Sequence, residues 1–295
     1  MPTPRCILCD STDHTPVNAV VRHAEKTEAV TCNACGLTYL WPRPDAQALD
    51  RFYAEEYRAL YDTTTVAERH QEDLAEAQLR IERLGPLLPE SGRLLKIGSG
   101  SCAFLRSAAG RVAEAVGIEP DQKTRDWIAD VSGLAVYPEF SALPDDAGRF
   151  DLIVLFHVLE HLPDPVAFLK AVAKRLNPGA KLVIEVPNVD DALLSLYDIQ
   201  AFRDFYFSIA HLTYFSPSTL ARCIAMAGLE GAVTGVQRYD LSNHLTWALT
   251  GKPGGARAFA PPISAQTDRH YAEDLIRSGK ADTLWGVFTC IGGTE

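Results

Sequence analysis

Three groups of residues in this chain have types and spacings that could do chemistry. The first is a pair of cysteine knuckles, Cys6-x-x-Cys9 and Cys32-x-x-Cys35-Gly36, with 22 residues between them. Each knuckle can aim two thiolates at one ion, and four thiolates complete a tetrahedral zinc shell. Such a shell leaves no open coordination position, so the expected Zn2+ is structural, and two pairs argue against a lone redox couple. The second group is Gly98-Ser99-Gly100, directly after the apolar run Leu94-Leu95-Lys96-Ile97. Glycine there lets the chain turn sharply and lets a ligand approach the backbone. Glu119 follows about 20 residues on, where a carboxylate can accept hydrogen bonds from two ribose hydroxyls. The third group is His157, Glu160, His161 and His211. Imidazole titrates near pH 6.5, which suits a general base. Plainer roles stand beside that one: His161 can bond a backbone carbonyl, His211 can pin a loop, and Glu160 can orient a histidine or pair with an arginine. His157, Glu160 and His161 taken together could also hold a metal.

The elements that must position these groups can be read from periodicity. Residues 1–45 form a zinc-ribbon module with short hairpin strands at Val17–Val21 and Glu28–Thr31. A segment that small buries little core, so a metal would supply its folding energy. His14 and His23 lie within it as surface residues. Residues 46–92 form a helical linker or cap. Tyr53, Tyr57 and Tyr61 would share one helix face there, as packing or as an aromatic wall. Val66–Leu84 is an amphipathic helix stopped by Gly85-Pro86. From residue 93 onward, strands alternate with helices as a parallel sheet requires. Strands are expected at Leu94–Ile97, Ala115–Ile118, Leu134–Tyr137, Phe150–Phe156 and Lys181–Val186. Gly98, Glu119, His157 and Asn188 fall at their carboxyl ends, where open α/β sheets bind ligands. An aromatic-rich helical lid is expected over about 191–215, with Leu193–Phe207 as its helix. Ser216 and Pro217 start the next helix. Val233–Tyr239 and Leu245–Leu249 read as strand segments, Tyr271–Ser278 as a helix and Thr283–Ile291 as a final strand.

Composition bounds the function. The chain has 295 residues, of which 47% are hydrophobic and 22% charged, with a formal net charge of −10. The acidic balance argues against nucleic acid as a partner. The ribbon is not basic either, with four Lys/Arg and five Asp/Glu in residues 1–45. No apolar run is long enough to span a membrane, and Met1–Cys6 carries no apolar signal core. The expected location is cytoplasmic, where paired cysteines suit metal better than disulfides.

In this order the motifs are similar to those of class I S-adenosylmethionine-dependent methyltransferases. They are the four cysteines with Gly36-Leu37-Thr38-Tyr39, then Ile97-Gly98-Ser99-Gly100, Gly117-Ile118-Glu119-Pro120, Phe150-Asp151-Leu152-Ile153, His157-Val158-Leu159-Glu160-His161, Leu176-Asn177-Pro178-Gly179 and His211-Leu212-Thr213-Tyr214-Phe215-Ser216-Pro217. The closer resemblance is to the group with an N-terminal four-cysteine module, whose members methylate nucleotide-linked sugars and natural products. It implies an α/β, Rossmann-like methyltransferase domain over 93–295, with helices on both faces of the sheet. It also implies S-adenosyl-L-methionine as cofactor, held by Gly98, Ser99, Gly100, Glu119 and His157, with Phe140 and Ser141 near the adenine. His161 and His211 match catalytic positions of the sugar methyltransferases. Ala210 stands where carbon-methylating relatives tend to have Glu, which favours O-methylation of a small-molecule acceptor, such as a nucleotide sugar. Two residues depart from the family pattern. Lys96 replaces an acid that helps hold the cofactor's ammonium end, and Cys102 replaces a glycine. They motivate an alternative, a catalytically inactive binding protein on the same fold. A third reading, an RNA methyltransferase gripping nucleic acid through the ribbon, ranks last on charge. The oligomeric state has no signature in the sequence.

Overall fold

The computed structural model describes residues 5–24, 26–44, 49, 64–254 and 263–292. The tyrosine stripe Tyr53, Tyr57 and Tyr61 lies outside these residues.

Strands β4 (Arg93–Ile97), β5 (Glu114–Ile118), β6 (Ala135–Tyr137), β7 (Phe150–Phe156), β8 (Leu176–Pro187), β10 (Leu229–Val236) and β11 (Thr283–Cys290) form one seven-stranded sheet. The order is β10-β11-β8-β7-β4-β5-β6. Strands β4 to β8 run parallel, whereas β11 is antiparallel to both β8 and β10. The central strands are near-continuous apolar runs because helices cover both faces. Alternate residues feed two cores. Leu95, Ile97, Ile153, Leu155, Leu182 and Ile184 face one way. Leu94, Leu152, Val154, Phe156, Val183 and Trp285 face the other.

Helix α1 (Val66–Leu84) packs on the second core through Leu74, Ala77, Ile81 and Leu84. Thr65 and Glu68 exchange side-chain and backbone bonds across its first turn, a capping box. Helix α2 (Ala103–Ala109) follows β4, and α3 (Gln122–Ser132) follows β5. Helix α4 (Pro165–Ala173) joins β7 to β8 and is capped by Asp164. The expected lid helix is two short helices, α5 (Ala192–Ser195) and α6 (Gln200–Tyr206). Helix α7 (Pro217–Met226) starts at Ser216, as Ser-Pro dictates.

Two strand expectations after residue 228 give way. Leu245–Leu249 lies inside helix α8 (Leu241–Thr250), because the Asp240 side chain accepts the Asn243 N–H and caps a helical turn ahead of it. The segment read as Val233–Tyr239 pairs from Leu229 and stops at Val236. Helix α9 (Ala265–Arg277) precedes β11.

A second sheet has the order β1 (His14–Asn18), β2 (Glu28–Cys32), β3 (Thr38–Trp41) and β9 (Thr213–Tyr214), all antiparallel. The first ribbon strand thus sits earlier than Val17–Val21, with a bulge between Pro16 and Asn18. Leu8, Val30, Leu37 and Tyr39 join the same core as the central strands and α7.

Candidate active site

The β4–α2 turn forms a cradle. Gly98, Gly100 and Cys102 all have positive φ, at 70°, 53° and 65°. Cys102 therefore adopts the left-handed conformation that a glycine would take without cost, while its thiol is fully buried. At Gly98 a Cβ would lie 2.6 Å from Val158 Cγ2, so glycine is what lets the turn after β7 close onto the cradle. Around Gly100 the space is open. Glu119 accepts from the Gly100 N–H at 2.7 Å and from the Asp121 N–H at 3.0 Å. Burial raises its pKa, and those two N–H groups oppose the rise.

Lys96 is buried on the α1 side of β4, 3% exposed. Its Nζ donates to Ile97 O at 2.9 Å and Gly98 O at 2.7 Å and lies 4.7 Å from the Phe156 ring centre. Burial, then the nearby Arg80 guanidinium, lowers its pKa to about 7. The lysine is thus turned into the carbonyls of the cradle.

Sequence reading alone missed the supports of that turn. On α1, His70 Nδ1 meets Ser101 O at 2.9 Å, and Ser101 Oγ donates to Asp73. His70 occupies a position of the helix's apolar stripe, a polar residue where an apolar one was due. Glu185, fully buried inside the apolar strand β8, carried the same kind of signal. Arg80 binds it through two nitrogens, at 2.7 and 3.1 Å.

His157, with φ 53°, ends β7. Its Nε2 lies 3.2 Å from Glu185 and its Nδ1 3.4 Å from Glu160. Burial alone would lower its pKa, but the two carboxylates outweigh it and the net direction is upward. Arg238, after β10, also reaches Glu185. His157 is thus one member of a buried ion network.

Glu160 and His161 occupy the single turn Leu159–His161 behind β7. Glu160 is 1% exposed, and neither of its oxygens has a hydrogen-bond partner among the described residues. Burial raises its pKa, but His157, His161 and His211 together bring it below the ordinary carboxylate range. His161 Nδ1 lies 2.8 Å from Ala210 O, which assigns the proton to Nδ1 and leaves Nε2 as the basic nitrogen. The His161 and His211 rings meet edge to face, 4.8 Å between centres. Burial, then His161, lowers the His211 pKa to about 3, so His211 is neutral. One ligand atom each from Glu160, His161 and His211 lies within 4.8 Å of the others. The trio that could hold a cation thus contains His211 in place of His157. Asp282 Oδ1 and Tyr206 Oη, also buried, have no hydrogen-bond partner among the described residues. Phe140 packs against Phe168 at 5.4 Å beyond β6, with Ser141 exposed beside it. A cavity of 340 Å³ lined by Arg93, Glu114 and Gly148 lies at the opposite, amino ends of the strands.

In the ribbon, Cys6 Sγ and Cys35 Sγ are 3.4 Å apart, Cys9 Sγ and Cys32 Sγ 3.5 Å, and all four lie within 4.8 Å. A tetrahedron with zinc–sulfur distances of about 2.3 Å has sulfur–sulfur edges of about 3.8 Å. The donor set and spacing therefore fit zinc, and the gaps are far longer than a disulfide of about 2.05 Å.

A family model described as a methyltransferase domain matches residues 67–233, more than half of the chain. The chain belongs to the methyltransferase-domain family. Among relatives of this methyltransferase-domain chain, one named ubiquinone biosynthesis O-methyltransferase, from Xanthomonas axonopodis pv. citri, is 31% identical over 126 residues, 40% of this chain and 53% of its own length. A protein of the same name from Bordetella avium is 28% identical over 152 residues, 47% of this chain and 62% of its own length. The chain thus spans roughly half to three fifths of these curated relatives. A crystal structure of a SAM dependent methyltransferase from Archaeoglobus fulgidus covers 83% of this chain and 99% of its own, with TM-score 0.49 and 17% identity.

Proposed function

We propose that this chain is an S-adenosylmethionine-dependent O-methyltransferase acting on a hydroxyl of a small-molecule acceptor. The observation that carries the reading is the edge-to-face His161–His211 pair beside the buried carboxylate of Glu160, held at the carboxyl end of β7 where the cradle closes.

When bound, S-adenosylmethionine supplies an electrophilic methyl group. Glu119 has lone pairs for the ribose hydroxyls, and the open space at Gly100 leaves room for the methionine end. Lys96 Nζ donates to Ile97 O and Gly98 O, so part of its charge is met by the cradle's own carbonyls. That pairing, and a Cys102 that adopts the glycine-like backbone the turn needs, support an active cradle over the inactive-protein alternative. His161 Nε2 takes the proton of the acceptor hydroxyl as the oxygen attacks. The Glu160 carboxylate, 3.9 Å from that nitrogen, stabilises the imidazolium that forms. His211 stays neutral and orients the acceptor. The four cysteines hold a structural Zn2+.

A polyhydroxylated acceptor, a sugar or nucleotide sugar, is supported by the buried Asp282 Oδ1 and Tyr206 Oη, which have no hydrogen-bond partner among the described residues, and by Glu160, whose contacts there are ion pairs with histidines. Such oxygens are costly unless something bonds them. A second reading, a phenolic acceptor, takes support from the names of the relatives. Production of S-adenosylhomocysteine with nucleotide sugars and with catechols distinguishes them. His161→Ala is expected to lower kcat by about 10²–10⁴-fold at unchanged cofactor binding. Full activity in that variant would remove the assignment.

A further inference from the structure

The ribbon does more than flank the histidine pair. Cys32 ends β2, and its N–H donates to Leu37 O at 2.9 Å, while the Gly36 N–H donates to Cys32 O at 2.8 Å. The second knuckle is therefore also the β2–β3 turn, and three residues after Cys35 strand β3 begins. Strand β3 pairs Thr38 with Tyr214 and Tyr39 with Thr213, and the Leu40 N–H donates to Leu212 O at 3.2 Å. On the other side of His211, the Arg22 N–H donates to Phe207 O at 2.9 Å and the Ile209 N–H to Arg22 O at 3.0 Å. His211 thus rides on a span, Phe207–Tyr214, whose backbone is bonded to the ribbon both before and after it.

Side chains repeat the attachment. Arg43 Nη1 donates to Pro163 O at 2.6 Å and Nη2 to Thr213 Oγ1 at 3.4 Å. Asn18 Nδ2 donates to Asp204 Oδ1 of α6 at 3.2 Å, and the Arg22 guanidinium lies 4.1 Å over the Phe205 ring. The same span is tied to the other histidine, through the Leu212 N–H to Glu160 O at 2.9 Å and Ala210 O to His161. The cradle for the cofactor is built instead from the ends of β4, β5 and β7 with α1 behind them.

We propose that the four-cysteine site is a positioning device for His211. A metal there fixes the knuckle, the knuckle fixes the edge of β3, and β3 fixes the span that sets His211 against His161. The inference rests on the zinc and catalytic readings above, and it makes acceptor chemistry depend on the metal while cofactor binding does not. The ribbon shares Leu8, Val30, Leu37 and Tyr39 with the large core, so metal loss is expected to loosen the knuckle and the β3 edge rather than to unfold the large sheet.

The test uses the full chain in three forms: zinc-loaded, chelator-treated and Cys9→Ser. Hydrogen exchange is followed peptide by peptide, and S-adenosylhomocysteine binding is measured by calorimetry on the same samples. Without metal, amides of Phe207–Tyr214 are expected to exchange at least about tenfold faster, while those of β4 and β7 hold and binding changes by less than about threefold. Unchanged exchange over Phe207–Tyr214 after metal loss overturns the proposal, as does loss of protection throughout the large sheet. Arg43→Ala supplies a variant that keeps all four thiols. With cobalt-thiolate absorption intact, it is expected to speed exchange of the β9 amides about threefold, and no change there also counts against the proposal. Failure of the loaded protein to bind S-adenosylhomocysteine would sink the methyltransferase reading, while the exchange comparison would still judge the role of the metal.

Discussion

The two sheets of this molecule are held together by different means. In the seven-stranded sheet, Leu94, Leu95, Leu152, Ile153, Val154 and Leu155 are fully buried, and helices cover both faces. Such a sheet stabilises itself, because each central side chain is removed from water on its own account. The four-stranded sheet has strands of five, five, four and two residues, and much of β1 faces solvent. Its buried Leu8, Val30, Leu37 and Tyr39 share the core of the large sheet, and Leu40 packs with Val21, Ala29, Phe207 and Tyr214, so the small sheet depends on its neighbours and on a metal at the four thiols for order. The comparison teaches where the proposed chemistry sits. His161 sits in the turn behind β7 and His211 in the span that leads into β9, so their meeting at 4.8 Å is a property of the seam.

Substitutions can break or sharpen that contrast. The largest effect is expected from Leu155→Ala, in the middle of β7. A fully buried leucine truncated to alanine costs about 2–5 kcal/mol through lost burial and the cavity left behind. Chemical denaturation should show that loss in the unfolding of the large sheet, and a cost below about 1 kcal/mol would contradict the self-sufficient core.

Asp191, which caps α5 at the end of β8, should give the next largest effect. Burial raises its folded pKa to about 7, opposed by the Leu193 N–H. A carboxyl whose folded pKa is raised stabilises the fold fully below its unfolded value, near 3.9, and loses that contribution as pH rises through about 7. The native protein should therefore lose about 2 kcal/mol between pH 5 and pH 8.5 from this group. Asp191→Asn keeps a cap oxygen and should flatten the profile. Parallel stability profiles of the two proteins would refute the assignment.

Lys96→Met is expected to have the smallest effect. With a folded pKa of about 7, Lys96 is charged below that pH and neutral above it. A charged Lys96 repels the cationic cofactor, so native affinity should rise from pH 6 to pH 8 by about threefold to tenfold, on the order of 1 kcal/mol. The Met variant should lose most of that slope in calorimetric titrations. An equal slope in both proteins would mean the lysine charge is not felt in the cradle.

Much of this was legible in the sequence, for local reasons. The run Phe150–Phe156, the Gly98-Ser99-Gly100 turn and the four-cysteine spacing each announce themselves within a few residues. Helix α8 was misread because Leu245-Thr246-Trp247-Ala248-Leu249 alternates like a strand, and the deciding group, the Asp240 cap, lies outside that window. The candidate histidines were visible as residue types. Their partnership with the cradle supports was not, since His70, Asp73, Arg80 and Glu185 act across elements far apart in the chain. Strand β9 was invisible for a stronger reason: two residues have no periodicity, and their pairing partner is in another module.

That pairing has a consequence for how the chain assembles. Tyr39 and Thr213 are 213 − 39 = 174 residues apart. Joining them closes a loop that encompasses nearly the whole parallel part of the large sheet, which is among the slowest kinds of contact to form. During synthesis the ribbon's first three strands emerge early and its fourth only after β8 has been made. The ribbon therefore waits with an open edge, and the last strand to reach it brings His211 along. Assembly of the proposed catalytic pair is thus expected among the late contacts of the chain, after strands β4 to β8 have been made.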